Sequence, residues 1–357
     1  MAVGISRRSF GKLASGEEVE IVTLRAGDGL EASVLTYGAT LQALKVPDRN
    51  GHVADILLGH EDLAGYVDHR SFFGATIGRY ANRIAGGRFE LDGESFEVEP
   101  NDGANALHGG EHGFDRHLWT IDAIGDGEVP FVILSRHSAD GEGGFPGALD
   151  VHVTYRLRTN ALEIDLRAVN GDRPTVVNLT NHAYFNLGGA LEPRDILSHD
   201  LRIAAERYLP IDSGSIPEGG PLPVAGTPFD FREMRAIGAR IREAHPQILT
   251  GRGYDHNYCL DSRESADGRH LAARVEDRAS GRAMELWTDQ PGVQFYSGNF
   301  LNGTISGKNG RSYRMGDAFC LEPQLYPDTP NRPDFPSARL DAGATYRHRS
   351  AFQFSTI

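Results

Sequence analysis

Pairs of segments in which apolar and polar residues alternate, joined by turn residues, are the feature that most limits how this chain can fold. Every second residue is apolar over residues 151–157 and again over residues 162–168, and the polar residues Thr159 and Asn160 lie between them. A shorter pair flanks Asp92 and Gly93. A period of two is that of a β-strand with one buried face, and short polar or glycine-containing breaks join such strands into hairpins. The chain is therefore predicted to contain antiparallel β-hairpins.

Composition extends this prediction to the whole chain. The 357 residues include 43 glycines and 18 prolines, which favour many turns over long helices, and the 39% of hydrophobic residues are enough for a large core. One helix is predicted over residues 230–241, where Asp230 can cap the N-terminus and Met234, Ile237 and Ile241 have helical spacing. Short helical turns are expected near residues 61–67. The fold class is predicted to be all-β with few short helices.

The chain is predicted to form a single domain over residues 1–357. This length exceeds that of most domains, but β-sandwiches and barrels can reach it as one unit. Residues 212–228 hold four prolines and four glycines, a composition typical of a long surface loop. Because strand patterns continue on both sides, this loop is interpreted as an excursion from one domain and not as a linker between two.

Charge and cysteine content exclude several classes of partner. The formal net charge of −13 repels nucleic acid and anionic membrane surfaces, so neither is predicted as a partner. Cys259 and Cys320 each lie in an apolar run and are too few for a disulfide framework, so both are predicted to be buried, reduced thiols. The N-terminal residues lack an apolar stretch of signal-peptide length, and no later segment could span a bilayer, so a cytoplasmic location is expected.

Residues 176–189 combine an apolar face with a polar face that carries a histidine. If these residues form one strand, His182 and Tyr184 share a face with Asn178, Thr180 and Asn186, whereas the opposite face is apolar except for Asn181. The apolar face is expected to meet the core. The polar face has two interpretations of equal weight, namely the floor of a groove for a hydroxyl-rich ligand and a solvated strand surface.

Two further strand patterns place polar groups among apolar neighbours. Glu322 lies in an apolar run, where a carboxylate is costly to bury unless it is paired, and a buried arginine partner is the structural alternative to a functional role. Gln294 alternates with Val293 and Phe295, and its amide can both donate to and accept from a hydroxyl. Asp255 follows a glycine-containing turn, which by itself is a weak functional signal.

Two loops supply the remaining candidates. Residues 78–84 bring Arg79, Asn82 and Arg83 together in sequence. Residues 105–119 place His108 before two glycines, which allow backbone to approach a ligand closely.

Six ordered motifs give the chain a resemblance to a known family. GRYANRIAGGRF, NALHGGEHGFD, NLTNHAYFNL, GYDHNY, QPGVQFYSGNF and FCLEPQLYPDTPN resemble the galactose mutarotase (aldose 1-epimerase) family and span residues 78–331 in the family's order. The resemblance implies a large antiparallel β-sandwich, often called a supersandwich, with the site on its concave face. It also implies a free monosaccharide as the small-molecule substrate and no cofactor or metal.

The resemblance assigns a role to each matching residue. It implies that Glu322 is the general base, that His182 is the general acid and that His108 assists near the ring oxygen, with sugar hydroxyls held by Asn82, Arg83, Asp255 and Gln294. Tyr184, on the same predicted face as His182, is included as a substrate-binding candidate. Opening a cyclic hemiacetal removes the C1 hydroxyl proton while the ring oxygen gains one, which suits a glutamate with a pKa of about 4.3 and a histidine with a pKa of about 6.5.

Three other functions remain open at this point. A metal-dependent sugar isomerase is suggested by Glu111 between His108 and His112, although the adjacent glycines favour a loop over a helix. A non-catalytic carbohydrate-binding module would keep the fold without the chemistry. A hexose-6-phosphate 1-epimerase could use Arg79 and Arg83 for phosphate contacts. The preferred aldose and the choice between monomer and homodimer are not decided by the sequence.

Overall fold

A computed structural model of the chain describes residues 4–27, 29–192, 194–261 and 267–357. The strands in the first half are β1 Gly4–Lys12, β2 Glu18–Arg25, β3 Glu31–Leu35, β4 Leu41–Pro47, β5 Val53–Asp55, β6 Thr76–Ile77, β7 Arg83–Ile84, β8 Arg88–Leu91, β9 Glu94–Glu97, β10 Ala106–Leu107, β11 Thr120–Gly125, β12 Phe131–Ser138, β13 Leu149–Arg158, β14 Ala161–Asn170, β15 Thr175–Val176 and β16 Thr180–Asn181.

The strands in the second half are β17 Asp200–Ile203, β18 Arg207–Tyr208, β19 Leu222–Pro223, β20 Arg235–Ala236, β21 Asp255–Cys259, β22 His270–Asp277, β23 Arg282–Thr288, β24 Gly292–Tyr296, β25 Asn302–Ser306, β26 Ser312–Arg314, β27 Cys320–Gln324, β28 Arg339–Leu340 and β29 Thr345–Thr356. The α-helices of the described residues are α1 Leu63–Asp68 and α2 Pro246–Gly251.

Three large antiparallel sheets organise the fold. One has five strands in the order β1-β2-β3-β4-β5, and a second has nine in the order β11-β12-β13-β14-β29-β23-β22-β17-β20. The third, which we call the site sheet, has the order β19-β18-β21-β24-β27. The predicted all-β antiparallel class with few short helices is confirmed, as are the hairpins β8–β9 and β13–β14.

One hydrophobic core joins the three sheets. It contains Val22 and Leu44 of the first sheet, Val153 of the nine-stranded sheet, and Phe295 and Leu321 of the site sheet, all 1% exposed or less. Burying each such side chain contributes roughly 1.5–3 kcal/mol. Because the sheets share this core, the strands of the site sheet are supported from behind by the other two.

The prediction of a helix over residues 230–241 is wrong. Residues Arg235–Ala236 form the edge strand β20, and residues Ile237–Ala239 form a short 3-10 turn. The backbone amide of Ile237 donates to the carbonyl of His199, so pairing with the nine-stranded sheet replaces helical hydrogen bonds. Ile237 and Ile241 are buried all the same, because the short turn directs both toward the core.

The other local predictions have clear outcomes. Helix α1, capped by the Asp62 side chain, confirms a helical turn near residues 61–67, whereas α2 was not predicted. Residues 212–228 are mostly exposed, as predicted, and pair with the site sheet only through β19. Cys259 and Cys320 are buried free thiols, and burial raises the pKa of both, that of Cys259 to about 11. Among the described helices, neither has the length and apolar composition needed to cross a membrane.

Candidate active site

The site sheet separates core residues from polar residues by its two faces. Residues on neighbouring strands β21, β24 and β27 alternate, so that Val293, Phe295 and Leu321 enter the core. Gln294 lies directly opposite Glu322 on the other face. Asp255 is diagonal to Gln294 on this face and accepts a hydrogen bond from Gln294 Nε2 at 2.8 Å. Strand alternation thus places three polar candidates side by side.

Glu322 is a buried carboxylate whose ionic neighbour is a histidine. It is 2% exposed, and its Oε2 lies 3.5 Å from His182 Nε2. Burial raises the pKa of Glu322 well above its ordinary value, the negative charge of Asp255 raises it further, and the positive charge of Arg83 opposes both. The alternative of direct neutralisation by a buried arginine is therefore wrong, because the ion-pair partner of Glu322 among the described residues is His182.

The segment that carries His182 is only partly the strand that its pattern predicts. It forms the short strands β15 and β16, with isolated bridges elsewhere, although its apolar members do lie in the core as predicted. The backbone amide of His182 donates to the Ala75 carbonyl at 2.9 Å, and its carbonyl accepts from the Gly74 amide at 2.9 Å. The solvated-surface interpretation is wrong, because His182 is only 5% exposed.

The predicted polar face of this segment divides into two groups. His182 and Tyr184 line a cavity. The side chains of Asn178 and Asn186 instead donate to backbone carbonyls of neighbouring loops. Thr180 lines a separate space beside His348, so His182 and Tyr184 are the two of the five polar residues that line the cavity.

His108 is held by the loop that carries Asn82. Both residues have positive φ angles, +53° for His108 and +65° for Asn82. The His108 amide donates to the Asn82 carbonyl at 3.0 Å, and the Asn82 amide donates to His108 Nδ1 at 3.2 Å. A β-carbon at Gly109 would lie 2.2 Å from the Gly78 carbonyl oxygen, so glycine is required for the two loops to meet.

These contacts fix the protonation form of His108. Since Nδ1 accepts a hydrogen bond from a backbone amide, the ring proton of the neutral imidazole lies on Nε2. Burial lowers the pKa of His108 well below its ordinary value, and the charges of His182, Arg83 and Arg70 lower it further. His108 is thus a neutral hydrogen-bond donor.

Two arginines at the site are paired with carboxylates. Arg83 Nε donates to Asp102 Oδ2 at 2.7 Å. Arg70 donates to both oxygens of Asp115 at 2.9 Å. The guanidinium charge of each arginine is therefore offset locally, and within the described part of the chain Asp255 and Glu322 are carboxylates of the cavity that form no ion pair with an arginine.

Arg79 does not join Asn82 and Arg83. Its guanidinium is buried on the far side of the loop and donates to the carbonyls of Pro146 and Ala139 at 2.8 and 3.1 Å. Burial lowers the pKa of Arg79 to about 10. The expectation that Arg79 and Arg83 could bind one phosphate is wrong, because Arg79 is committed to backbone carbonyls.

A cavity of about 310 Å³ gathers the candidates. Its lining includes all eight residues selected from the sequence, Asn82, Arg83, His108, His182, Tyr184, Asp255, Gln294 and Glu322. Gln294 Oε1 and Glu322 Oε2 are buried and have no hydrogen-bond partner among the described residues, so both are available to a ligand. We call this space the site cavity.

Sequence reasoning missed several other residues of the lining, of which three bear on the chemistry of the site. Arg70, Phe72 and Asp102 also face the site cavity. Phe72 adopts a φ of +58°, a backbone conformation that no sequence pattern predicts for a bulky residue. Asp102 lies 19 residues from Arg83, so only the fold reveals their pairing.

The donor set does not fit a metal centre. Ligand-type atoms of His108, His182 and Glu322 lie within 4.8 Å of one another. However, the Nε2 of His108 carries the ring proton and cannot donate a lone pair to a cation. Glu111 is exposed and bound by Arg116 at 3.2 Å, and His112 is exposed, so the grouping that suggested a metal-dependent isomerase is not assembled.

Comparisons with known proteins show the family of the chain. Residues 20–353 match the family model described as aldose 1-epimerase. The chain belongs to the aldose 1-epimerase family. It is 46% identical over 354 residues to galactose mutarotase of Rattus norvegicus, with 99% of each chain covered, and 40% identical over 342 residues to aldose 1-epimerase of Escherichia coli strain K12, with 95% and 96% covered.

A solved structure shows the same fold. The crystal structure of galactose 1-epimerase from Lactobacillus acidophilus superimposes with a TM-score of 0.86, at 28% sequence identity and with 99% of each chain covered. The supersandwich architecture implied by the sequence is therefore confirmed.

Proposed function

We propose that this aldose 1-epimerase interconverts the α and β anomers of a free aldose with Glu322 as general base and His182 as general acid. The observation that supports these roles is the 3.5 Å approach of Glu322 Oε2 to His182 Nε2 at one buried cavity. Both groups can reach one pyranose ring placed there, at its C1 hydroxyl and at its ring oxygen.

The proposed reaction starts from the ionised form of the pair. In the cyclic sugar complex, ionised Glu322 takes the C1 hydroxyl proton while protonated His182 gives a proton to the ring oxygen, and the ring bond to C1 breaks as the aldehyde forms. The pair then consists of a neutral carboxyl and a neutral imidazole. Rotation about the bond between C1 and C2 and closure on the other face return both protons and give the second anomer.

Burial stabilises the second of these two states. It raises the pKa of Glu322 well above its ordinary value and lowers that of His182 to about 3. A neutral pair holds the same number of protons as the ionised pair, so the step needs no proton from solvent. Once the ionised pair has formed beside a bound sugar, the site therefore favours proton transfer toward the neutral pair that accompanies the open-chain aldehyde.

The remaining residues orient the sugar. Asp255 and Gln294 share a hydrogen bond and keep further acceptor atoms for hydroxyls, and Asn82 and Arg83 approach from the opposite loop. His108 donates through Nε2, and this donor supports the oxygen at which the proton is gained. Fixing the ring between acid and base supplies the orientation that the reaction lacks in water.

The pocket chemistry supports a neutral aldose such as galactose or glucose. Each arginine at the site is already paired with a carboxylate, and Arg79 is absent from it. The hexose-6-phosphate alternative therefore lacks its second phosphate ligand. We also propose that the chain acts as one domain, because the cavity draws residues from loops and strands between residues 70 and 322.

Polarimetry on freshly dissolved single anomers tests the assigned roles. We expect Glu322→Gln to lower kcat by about 10²- to 10⁴-fold, because the amide cannot accept the proton, while KM changes little. His182→Asn should have a similar effect. Calorimetry on the same variants measures sugar binding. Wild-type turnover in Glu322→Gln would remove Glu322 from the base role, and sugar binding by the wild-type chain without faster anomerisation would favour the non-catalytic alternative.

A further inference from the structure

The His182 imidazole lacks the hydrogen bond that usually fixes a histidine acting in proton transfer. Its Nδ1 is buried, and apart from the backbone of His182 itself no group of the described residues hydrogen-bonds to this imidazole at that atom. In most sites of this kind, Nδ1 donates to a carbonyl or carboxylate, and this bond sets the ring orientation. Some other contact must therefore keep Nε2 of His182 directed at the ligand.

Two aromatic rings lie nearly parallel to this imidazole. The Tyr184 ring is 4.9 Å from it at an angle of 14°, and the Phe72 ring is 5.9 Å from it at an angle of 17°. Rotation of the imidazole out of this plane would bring its edge against the flanking rings. Stacked rings thus restrict the one torsion that a missing hydrogen bond leaves free.

We propose that Phe72 and Tyr184 are positioning residues that hold the His182 imidazole by ring stacking, in place of a hydrogen bond to Nδ1. The inference rests on the proposed role of His182 as general acid. It assigns a function to Phe72, which sequence patterns did not select, and adds an orienting role to Tyr184.

Backbone hydrogen bonds fix the segment of Phe72 relative to that of His182. The turn at residues 72–75 is closed by the Ala75 amide, which donates to the Phe72 carbonyl at 3.1 Å. From the same turn, the Gly74 amide donates to the His182 carbonyl, and the Ala75 carbonyl accepts from the His182 amide, each at 2.9 Å. The backbone segments of Phe72 and His182 therefore form one hydrogen-bonded unit, which fixes the positions from which the two rings extend.

Phe72 occupies its place against a conformational cost. Its φ of +58° lies in the left-handed region, where bulky residues are rare outside functional sites. Arg70 packs over the Phe72 ring with 5.0 Å between the guanidinium carbon and the ring centre, and its bonds to Asp115 hold it there. The Phe72 ring also packs edge-to-face against the His108 ring, with 4.8 Å between the ring centres.

The stacked rings limit the access of water to the His182 imidazole as well as orienting it. Glu322, His108 and Tyr184 face the His182 ring, and Phe72 closes another side against water. Removing the Phe72 ring would admit water, and the pKa of His182 would rise toward its ordinary value because desolvation is what lowers it. The aromatic faces can also stabilise the imidazolium when it forms.

Phe72→Asn and Phe72→Tyr separate the ring from the backbone. Asparagine tolerates a positive φ but has no ring, and tyrosine keeps the ring. We expect Phe72→Asn to lower kcat by roughly 10- to 100-fold with little change in KM, since misplacement of the acid costs rate more than binding. We also expect the NMR titration of the His182 imidazole, identified by its absence in His182→Asn, to move to higher pH. Phe72→Tyr should restore both.

Phe300→Asn is the matched control. Phe300 lines the same cavity, but its ring stacks on Tyr296, so the His182 titration should not move. If circular dichroism shows that Phe72→Asn does not fold, Tyr184→Leu against Tyr184→Phe makes the same test from the other ring.

The outcomes separate this inference from the proposed function. An unchanged His182 titration and kcat in folded Phe72→Asn, or equal losses in Phe72→Asn and Phe72→Tyr, would overturn the stacking role. Wild-type turnover in His182→Asn would instead overturn the proposed acid, whatever the Phe72 variants show.

Discussion

Asp255→Asn removes one negative charge from the wall of the site cavity and preserves the shape of the side chain. The buried Asp255 carboxylate is among the causes that raise the pKa of Glu322. Taking away a nearby negative charge makes a bound proton less favourable. The Glu322–His182 pair should therefore bind both its first and its second proton more weakly, and both limbs of the pH–rate profile should move to lower pH.

The size of this shift follows from the sheet. Asp255 and Glu322 lie on β21 and β27, which flank β24. Two strand spacings of about 4.8 Å separate these strands by roughly 10 Å. At that distance and an effective dielectric constant of about 20, Coulomb's law gives roughly 1.7 kcal/mol. Since 1.36 kcal/mol corresponds to one pKa unit, we expect a shift of about one pH unit.

Polarimetric kcat values measured across the pH range at saturating sugar provide the assay. Because kcat is measured at saturating sugar, it is independent of the weaker sugar binding that the loss of a hydroxyl contact to Asp255 should cause. Asp126→Asn makes the same change of net charge at an exposed position in the turn after β11, and its profile should match that of the wild type. A profile for Asp255→Asn that stays in place, or that moves to higher pH, would refute the electrostatic coupling.

Two arginine contacts give the remaining predictions. We expect Arg79→Met to lower the free energy of unfolding by about 2–4 kcal/mol in urea titrations, because the carbonyls of Pro146 and Ala139 lose a buried donor, and to leave KM unchanged, whereas a raised KM would return Arg79 to the substrate site. We expect Asp102→Asn to raise kcat/KM for a uronic acid relative to that for the neutral sugar by roughly 5-fold, since freeing the Arg83 charge is worth about 1 kcal/mol, and an unchanged ratio would contradict this.

The parts of the fold that were predictable are those whose signal is local. The alternation that predicts β13 and β14 runs over residues 151–157 and 162–168, and the paired residues of the two strands agree on which face is buried. The segment near Ile237 gave the wrong result because three apolar residues also fit an edge strand followed by a turn. The deciding contact, from the Ile237 amide to His199, is between residues distant in sequence.

The same distinction applies to the site. Glu322 and Gln294 stood out because each is a polar residue on an alternating apolar strand. The ring of Phe72 gave no such signal, since two consecutive phenylalanines, Phe72 and Phe73, are ordinary core composition. Its role depends on a positive φ and on the plane of His182, both of which arise only when the two segments pair.

The alternation of the site sheet also links stability to chemistry. Leu321 faces the core and stabilises the fold, whereas the adjacent Glu322 faces the cavity and is desolvated there. A carboxyl whose pKa is higher in the folded than in the unfolded chain lowers the stability of the fold as the pH rises from the unfolded pKa to the folded one. At neutral pH, desolvation of the Glu322 carboxyl therefore offsets part of the free energy that burial of Leu321 and its neighbours contributes to folding. Under the proposed role of Glu322 as general base, the same desolvation favours transfer of a proton to this carboxyl, so the stability of the fold and the proposed chemistry share one cause.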